Sequence, residues 1–321
     1  MKLLIKLVAL ILGACLLSGA LTGCHLHARE EASPEPEALS VYATFYPLYA
    51  LTAMIADGVP DLQVNCLAQP MDGCLRSYSI SDWDLALLMQ SADAVISGGR
   101  GLEVFESKLY ALGEDGPAIV SVLYNLELAA VKPDNETGED SHWTDENPHI
   151  YMSIDGAIEI AQRIAANLTV LDPEYTDLYA ENLENAKNRL ESLRNDMHSL
   201  TSDLQGRKVI VMNEALVYVA QEYGLNVELC YARESGEGLY DRELEDCIEL
   251  LSASDARVIL LEKQAPETLC RALEEAGFRV AALDVLSTRR AGEGADGYFQ
   301  AQMANASALA AAFSGEMEVD E

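Results

Sequence analysis

Between Asp172 and Gly206 the apolar residues Tyr179, Leu183, Ala186, Leu190, Leu193, Met197, Leu200 and Leu204 recur at alternating steps of four and three. That spacing lays them on one stripe of a continuous helix. Asp172 and Pro173 supply an N-cap followed by proline at the first helical position, and Gly206 closes the run. Thirty-odd residues at ~1.5 Å rise would span roughly 50 Å, longer than a small lobe is wide. A 3.5-residue period also suits a coiled-coil dimer. A single stretch with different patterning on both sides is more simply a spine against which two lobes pack.

The flanks supply those lobes. Short β-branched runs alternate with amphipathic stretches, the signature of βα units and parallel sheets. Before the spine the strand candidates are Ser40–Thr44, Leu62–Ala68, Ala94–Ser97 and Ala118–Val122, with helices beginning after Pro47, after Ser81 and near Leu102. After it they are Lys208–Met212, Asn226–Cys230, Arg257–Glu262 and Arg279–Leu283, with helices over Glu214–Tyr223, Arg242–Leu251 and Pro266–Ala276. The expected fold is α/β: two βα lobes, residues 40–171 and 207–313, joined by a linking helix over 172–206. The cleft opens where the C-terminal strand ends face each other.

The N-terminus speaks of location. Lys2 and Lys6 precede an apolar run from Leu7 to Leu17 that ends in Leu21, Thr22, Gly23 and Cys24. This is a secretion signal over 1–23, and the small residues before Cys24 resemble a lipobox, in which that cysteine is acylated after cleavage. A spanning anchor would need ~20 apolar residues, more than this run offers. Residues 24–39, with Pro34 and Pro36 among glutamates, read as a solvated tether, and 314–321 as an acidic tail. The histidines at 25 and 27 are given no role.

With 53 acidic against 21 basic residues, the net charge of −32 excludes a nucleic-acid binder that works by neutralising phosphates. Half the residues are apolar, enough for a folded core. No G-x-S-x-G, Walker loop or H-E-x-x-H is present, so no enzyme is expected, and Gly98, Gly99, Arg100 and Gly101 read as a turn after a strand rather than a phosphate cradle. A tethered, extracytoplasmic, two-lobed chain points to solute capture.

Several motifs share an order. They are Thr44-Phe45-Tyr46-Pro47-Leu48, Tyr78 through Asp84-Leu85, Gly101-Leu102-Glu103, Asn147-Pro148-His149, Asp172-Pro173 to Tyr179 and Asn182, Tyr218 to Tyr223-Gly224-Leu225, and Leu283-Asp284. From Ser40 to Phe313 the chain resembles the solute-binding lipoproteins of zinc and manganese ABC importers, a family that includes adhesin-like surface lipoproteins. The resemblance implies one divalent ion held between two lobes, zinc ahead of manganese, and delivery to an ABC permease in the membrane by a monomer anchored at Cys24.

The resemblance also implies four ligand positions. His149 takes the second and Asp284 the fourth. Aligned on Tyr78, the first falls on Arg76, with Cys74 and Leu75 before it, where a histidine is usual. The third falls on Asn213, five residues before Tyr218, with Glu214 beside it. A guanidinium has no lone pair for a metal. Glu214, Asn213 through its carbonyl oxygen, or Cys74 as a thiolate could supply replacements. Tyr46 and Tyr78 are expected to shape the cleft. The acidic segment Asp134–Glu146, with His142, Asp145 and Glu146, stands where zinc-specific relatives often carry a metal-collecting loop, although acidic runs more often simply solvate.

Of the five cysteines left once Cys15 is cleaved and Cys24 lipidated, Cys66 and Cys74 bracket a loop with Pro70 and Gly73 and read as a disulfide outside the cytoplasm, which competes with a ligand role for Cys74. Cys247 and Cys270 either pair or stay buried thiols, leaving Cys230 spare. His198 is expected at the surface, and Trp83 and Trp143 serve packing or recognition equally well. Two other readings stay open: the same fold turned to an anionic or other non-metal solute through Arg76, or a surface adhesion lipoprotein.

Overall fold

The computed structural model describes residues 38–68, 78–130, 134, 146–231, 233, 238–287 and 294–314. The signal sequence with Cys24, the loop holding Cys74 and Arg76, the residues His142, Trp143 and Asp145, and the chain after Ser314 lie outside them.

All eight expected strands form, within a residue or two of their expected ends. The first four are β1 (Leu39–Ala43), β2 (Leu62–Cys66), β3 (Ala94–Ser97) and β4 (Ala118–Ser121), which pair in parallel in the order β2-β1-β3-β4. The other four, β5 (Lys208–Val211), β6 (Asn226–Cys230), β7 (Val258–Glu262) and β8 (Arg279–Leu283), repeat that topology as β6-β5-β7-β8. Each sheet therefore reverses its winding beside its first strand, at β1/β3 and at β5/β7. Loops at the C-terminal edge part there and leave room for a ligand.

Alternation sorts the side chains by face. Ala94 and Ile96 of β3, Val209 and Val211 of β5, and Val258 and Leu260 of β7 join one core that runs through both lobes. Their neighbours Val95, Ile210, Ile259 and Leu261 point the other way into two outer cores. The central strands, covered on both faces in a parallel sheet, carry unbroken apolar runs, which makes them legible.

The helices are α1 (Tyr46–Ile55), α2 (Asp82–Ser91), α3 (Glu106–Tyr110), α4 (Ile154–Leu171), α5 (Thr176–Leu200), α6 (Ala215–Glu222), α7 (Asp241–Ser252), α8 (Glu267–Glu275) and α9 (Asp296–Ser314). α2 and α3 cover the outer face of the first sheet, and α7 and α8 that of the second. α2 starts with a reciprocal capping box between Ser81 and Asp84. Trp83 on α2 is 71% exposed, so it is not a packing residue. Among the described residues no helix is long and apolar enough to cross a membrane.

The spine is shorter than its sequence pattern. Pro173–Tyr175 forms a 3-10 turn, the α-helix starts at Thr176, and it ends at Leu200, before the Gly206 boundary. Asp172 makes no side-chain cap; its Oδ2 accepts the Tyr179 hydroxyl at 3.0 Å instead. At ~1.5 Å per residue α5 is about 37 Å long. Tyr179, Ala186, Leu190, Leu193 and Met197 are buried as expected, while Leu200 is 44% exposed. Asn182, outside the apolar series, is buried with them and donates Nδ2 to the carbonyls of Ile55 and Asp57, tying the spine to the end of α1. α5 packs on α1, α4 and α9.

Candidate metal site

His149 stands at the head of a 3-10 turn, Ile150–Met152, that leads into α4. The next residue, Ser153, caps α4 by accepting the Gly156 N–H at 3.1 Å. Two α9 side chains hold the turn from the other half of the molecule: the Tyr298 hydroxyl donates to the Tyr151 carbonyl at 2.8 Å and Gln302 Nε2 to that of Met152 at 3.0 Å. The Tyr151 hydroxyl donates to the Val285 carbonyl at 3.3 Å, just past β8.

Asn147 fixes the imidazole. Its Oδ1 accepts the His149 backbone N–H at 3.1 Å, and its Nδ2 donates to the Glu214 carbonyl at 2.8 Å, so the amide has one orientation. The same Oδ1 lies 3.0 Å from His149 Nδ1, and Glu214 Oε1 lies 3.5 Å from that nitrogen. Both neighbours are acceptors, which favours the tautomer with the proton on Nδ1 and the lone pair on Nε2. Tyr218 holds Asn147 in turn: its hydroxyl donates to the Asn147 carbonyl at 2.8 Å and accepts the Ala129 N–H at 2.9 Å. Burial pushes the Tyr218 phenol up from its ordinary pKa.

The second sheet contributes the rest from its C-terminal edge. Asn213 and Glu214 follow β5 at the start of α6, 7% and 5% exposed. Asn213 Oδ1 accepts the Ala215 N–H at 3.0 Å. Glu262, the last residue of β7, pairs with Arg233 beyond β6; both side chains are almost wholly buried. Asp284 follows β8, where its backbone exchanges two bonds with the Asn305 amide, N–H to Oδ1 at 2.7 Å and Nδ2 to the carbonyl at 2.9 Å. Its Oδ1 accepts the Leu286 N–H at 2.9 Å, while Oδ2 pairs with Lys263.

The expected site residues are thus divided. His149, Asn213 and Glu214 gather at one place, whereas Asp284 is joined to Lys263 and shares a cavity of about 170 Å3 with Tyr46 and Asn305. Among the described residues no three His, Cys, Asp or Glu side chains converge on a point where one ion could sit. Tyr46, 2% exposed, donates its hydroxyl to the Gly294 carbonyl at 3.0 Å. Tyr78 is set apart from this group: it stacks edge-on to Phe105, and burial, then Asp84, pushes its phenol up to about 12. Arg76 and Cys74 lie outside the described residues, as do the Cys66–Cys74 pairing and the possibility of a Cys74 ligand.

Of the acidic segment, Glu146 pairs with Arg100. Asp134 donates its N–H to the Cys230 carbonyl and accepts the Cys230 N–H on Oδ2, both at 2.8 Å. Burial, then Asp134 and Glu214, pushes the Cys230 thiol up to about 12, so it adds no charge near Glu214 at neutral pH. Cys247 and Cys270 are thiols, not a disulfide. The glycine turn after β3 is filled from within: Gly98 and Gly99 donate to the buried Glu103 carboxylate at 2.7 and 2.9 Å, and the Thr44 hydroxyl adds a third bond at 2.6 Å. Burial still raises the Glu103 pKa against these three donors. His198 is exposed as expected.

The positioning residues escaped sequence reasoning. Asn147 and Tyr218 stood in quoted motifs, so their signal was present; Asn305 and Lys263 carried none.

Comparison with known proteins gives a consistent result. Residues 41–312 match the family described as zinc-uptake complex component A, periplasmic (ZnuA). The manganese-binding lipoprotein MntA of Bacillus subtilis is 25% identical over 265 residues, 80% of each chain. The zinc-binding lipoprotein AdcA of Streptococcus pneumoniae is 21% identical over 258 residues, 78% of this chain. The chain spans about half the length of that relative, 50%. In fold it is similar to the SBP FpvC of Pseudomonas aeruginosa in complex with Ni2+, with a TM-score of 0.73 at 21% identity, covering 88% of this chain and 99% of that one.

Proposed function

The chain belongs to the periplasmic zinc-uptake component A family, and from that premise we propose that it is an extracytoplasmic lipoprotein that captures a divalent metal ion for an ABC permease. The metal is cargo, bound between the lobes and passed on unchanged; the family is one of solute-binding components, not enzymes.

The observation that carries the reading is the His149 imidazole, 4% exposed, with the oxygen acceptors Asn147 Oδ1 and Glu214 Oε1 facing Nδ1, which favours Nε2 as the metal-binding nitrogen. This is the arrangement that orients a metal-binding histidine, with a carboxylate behind the ring. Glu214 takes that rear position through Oε1. Asp284, paired with Lys263 in this structure, would supply a second carboxylate and Asn213 an amide oxygen. Zinc ranks ahead of manganese because an imidazole nitrogen favours it, and because zinc lies above manganese in the stability order of divalent ions. The relatives, one zinc-binding and one manganese-binding by name, support metal capture without choosing between the ions. The tether and Cys24 would hold the monomer at the membrane surface, within reach of the permease.

The test is titration of the full chain in detergent, stripped with a chelator, against Zn2+ and Mn2+ in competition with a chelating dye. One ion per chain is expected, with zinc tighter, and His149→Ala weakens it by about a hundredfold or more, beyond the ~10–100-fold typical of losing an orienting neighbour. Binding indifferent to His149→Ala overturns the reading.

A further inference from the structure

We propose that Lys263 is a tethered cation that occupies Oδ2 of Asp284, the oxygen opposite the one held by the Leu286 N–H, and competes there with the incoming ion, setting the affinity of the site. This inference rests on the reading of Asp284 as a ligand.

Strand register creates the contact. Glu262 of β7 pairs with Leu283 of β8, and the Lys263 N–H donates to the Leu283 carbonyl at 2.8 Å, so the next residues, Lys263 and Asp284, leave the sheet edge side by side. The ammonium meets Oδ2, while Oδ1 is turned to the Leu286 N–H. A metal approaching Asp284 from the cavity meets a positive charge already in place, and two cations at one carboxylate repel.

Lysine is not what positions the aspartate. The Asn305 amide clamps its backbone on both sides and the Leu286 N–H holds Oδ1, three contacts that remain if the ammonium leaves. Lys263 is the more exposed partner, its side chain 30% accessible against 15% for Asp284, and its flexible stem can swing toward solvent. The neighbouring carboxylates have other commitments, Glu262 to Arg233 and Glu214 to the rear of His149. Metal binding therefore requires the Lys263–Asp284 pair to open. The apparent affinity is the intrinsic one reduced by the fraction of molecules in which the pair is open.

The experiment uses the same dye competition with Zn2+ and Mn2+ on the full chain. Lys263→Met is expected to bind about tenfold tighter or better, since a pair closed nine-tenths of the time costs tenfold. Lys263→Gln, which also removes the charge, is expected to follow it, and Lys263→Arg to stay at wild-type affinity or below. The gain should vanish in Lys263→Met/Asp284→Asn. A structural role would instead weaken binding in every lysine variant. Unchanged or weaker binding in Lys263→Met and Lys263→Gln, with Asp284→Asn impaired, overturns the inference and leaves Asp284 a ligand. Wild-type binding in Asp284→Asn removes Asp284 from the site and takes the inference with it.

Discussion

At position 156 the missing side chain decides where His149 can stand. A Cβ there would lie 2.1 Å from the Ile150 carbonyl oxygen, backbone that cannot rotate away. Gly156 therefore lets the 3-10 turn sit directly on the first turn of α4. Gly156→Ala is expected to cost about 1–3 kcal/mol, as overpacking against fixed atoms does. Thermal melting should fall by several degrees, and metal affinity should fall with it because the turn carrying His149 must lift. An unchanged melting temperature would show that the turn relaxes freely. Residues whose partners are close in sequence were the legible ones: Asn147-Pro148-His149 announces itself within three positions. Lys263 and Asp284 are 21 positions apart and meet only because β7 and β8 are neighbours, a fact of register that no local pattern encodes.

The spine and its neighbours show how far periodicity reaches. The 4-3 stripe marked α5, yet the Asp172-Pro173 start signal opens a 3-10 turn before the helix, and the apolar spacing runs on past Leu200, where the helical hydrogen bonding stops. α4 carried a readable pattern, Ile154, Ala157, Ile160, Ala161, Ile164 and Leu168 behind a serine cap, and was absent from the expected elements all the same. α9 is a different case: alanines on all sides leave little contrast between faces, so its burial shows only once it packs on β8, α5 and α1. The central strands β3, β5 and β7, short and apolar on both faces, left less room for error. For α5 the stripe makes a quantitative demand. Leu190→Ala, at a fully buried position, is expected to cost about 2–5 kcal/mol in denaturant unfolding, whereas Leu200→Ala at the exposed end should stay within about 0.5 kcal/mol. Equal losses at the two positions would mean that the helix is not held by its core face.

Across the whole molecule the same four-strand winding occurs twice, and the excess of acidic residues surrounds both copies. With 53 acidic and 21 basic side chains, like charges repel over the folded surface, and salt relieves that repulsion. Raising NaCl from about 10 mM to about 150 mM shortens the screening length from ~30 to ~8 Å. The melting temperature of the metal-free chain is expected to rise across that range. A fall would show that surface pairs such as Arg194–Asp155 outweigh the net repulsion. The winding order has one more effect. It leaves β6 as an outermost strand, whose free N–H and C=O groups would be a template for another extended chain. Asp134, arriving from the far side of the spine in sequence, takes both backbone groups of Cys230, and Glu228 adds a charge further along the same strand. Asp134 thereby occupies the end of that edge against pairing with another chain, a service that owes nothing to metal.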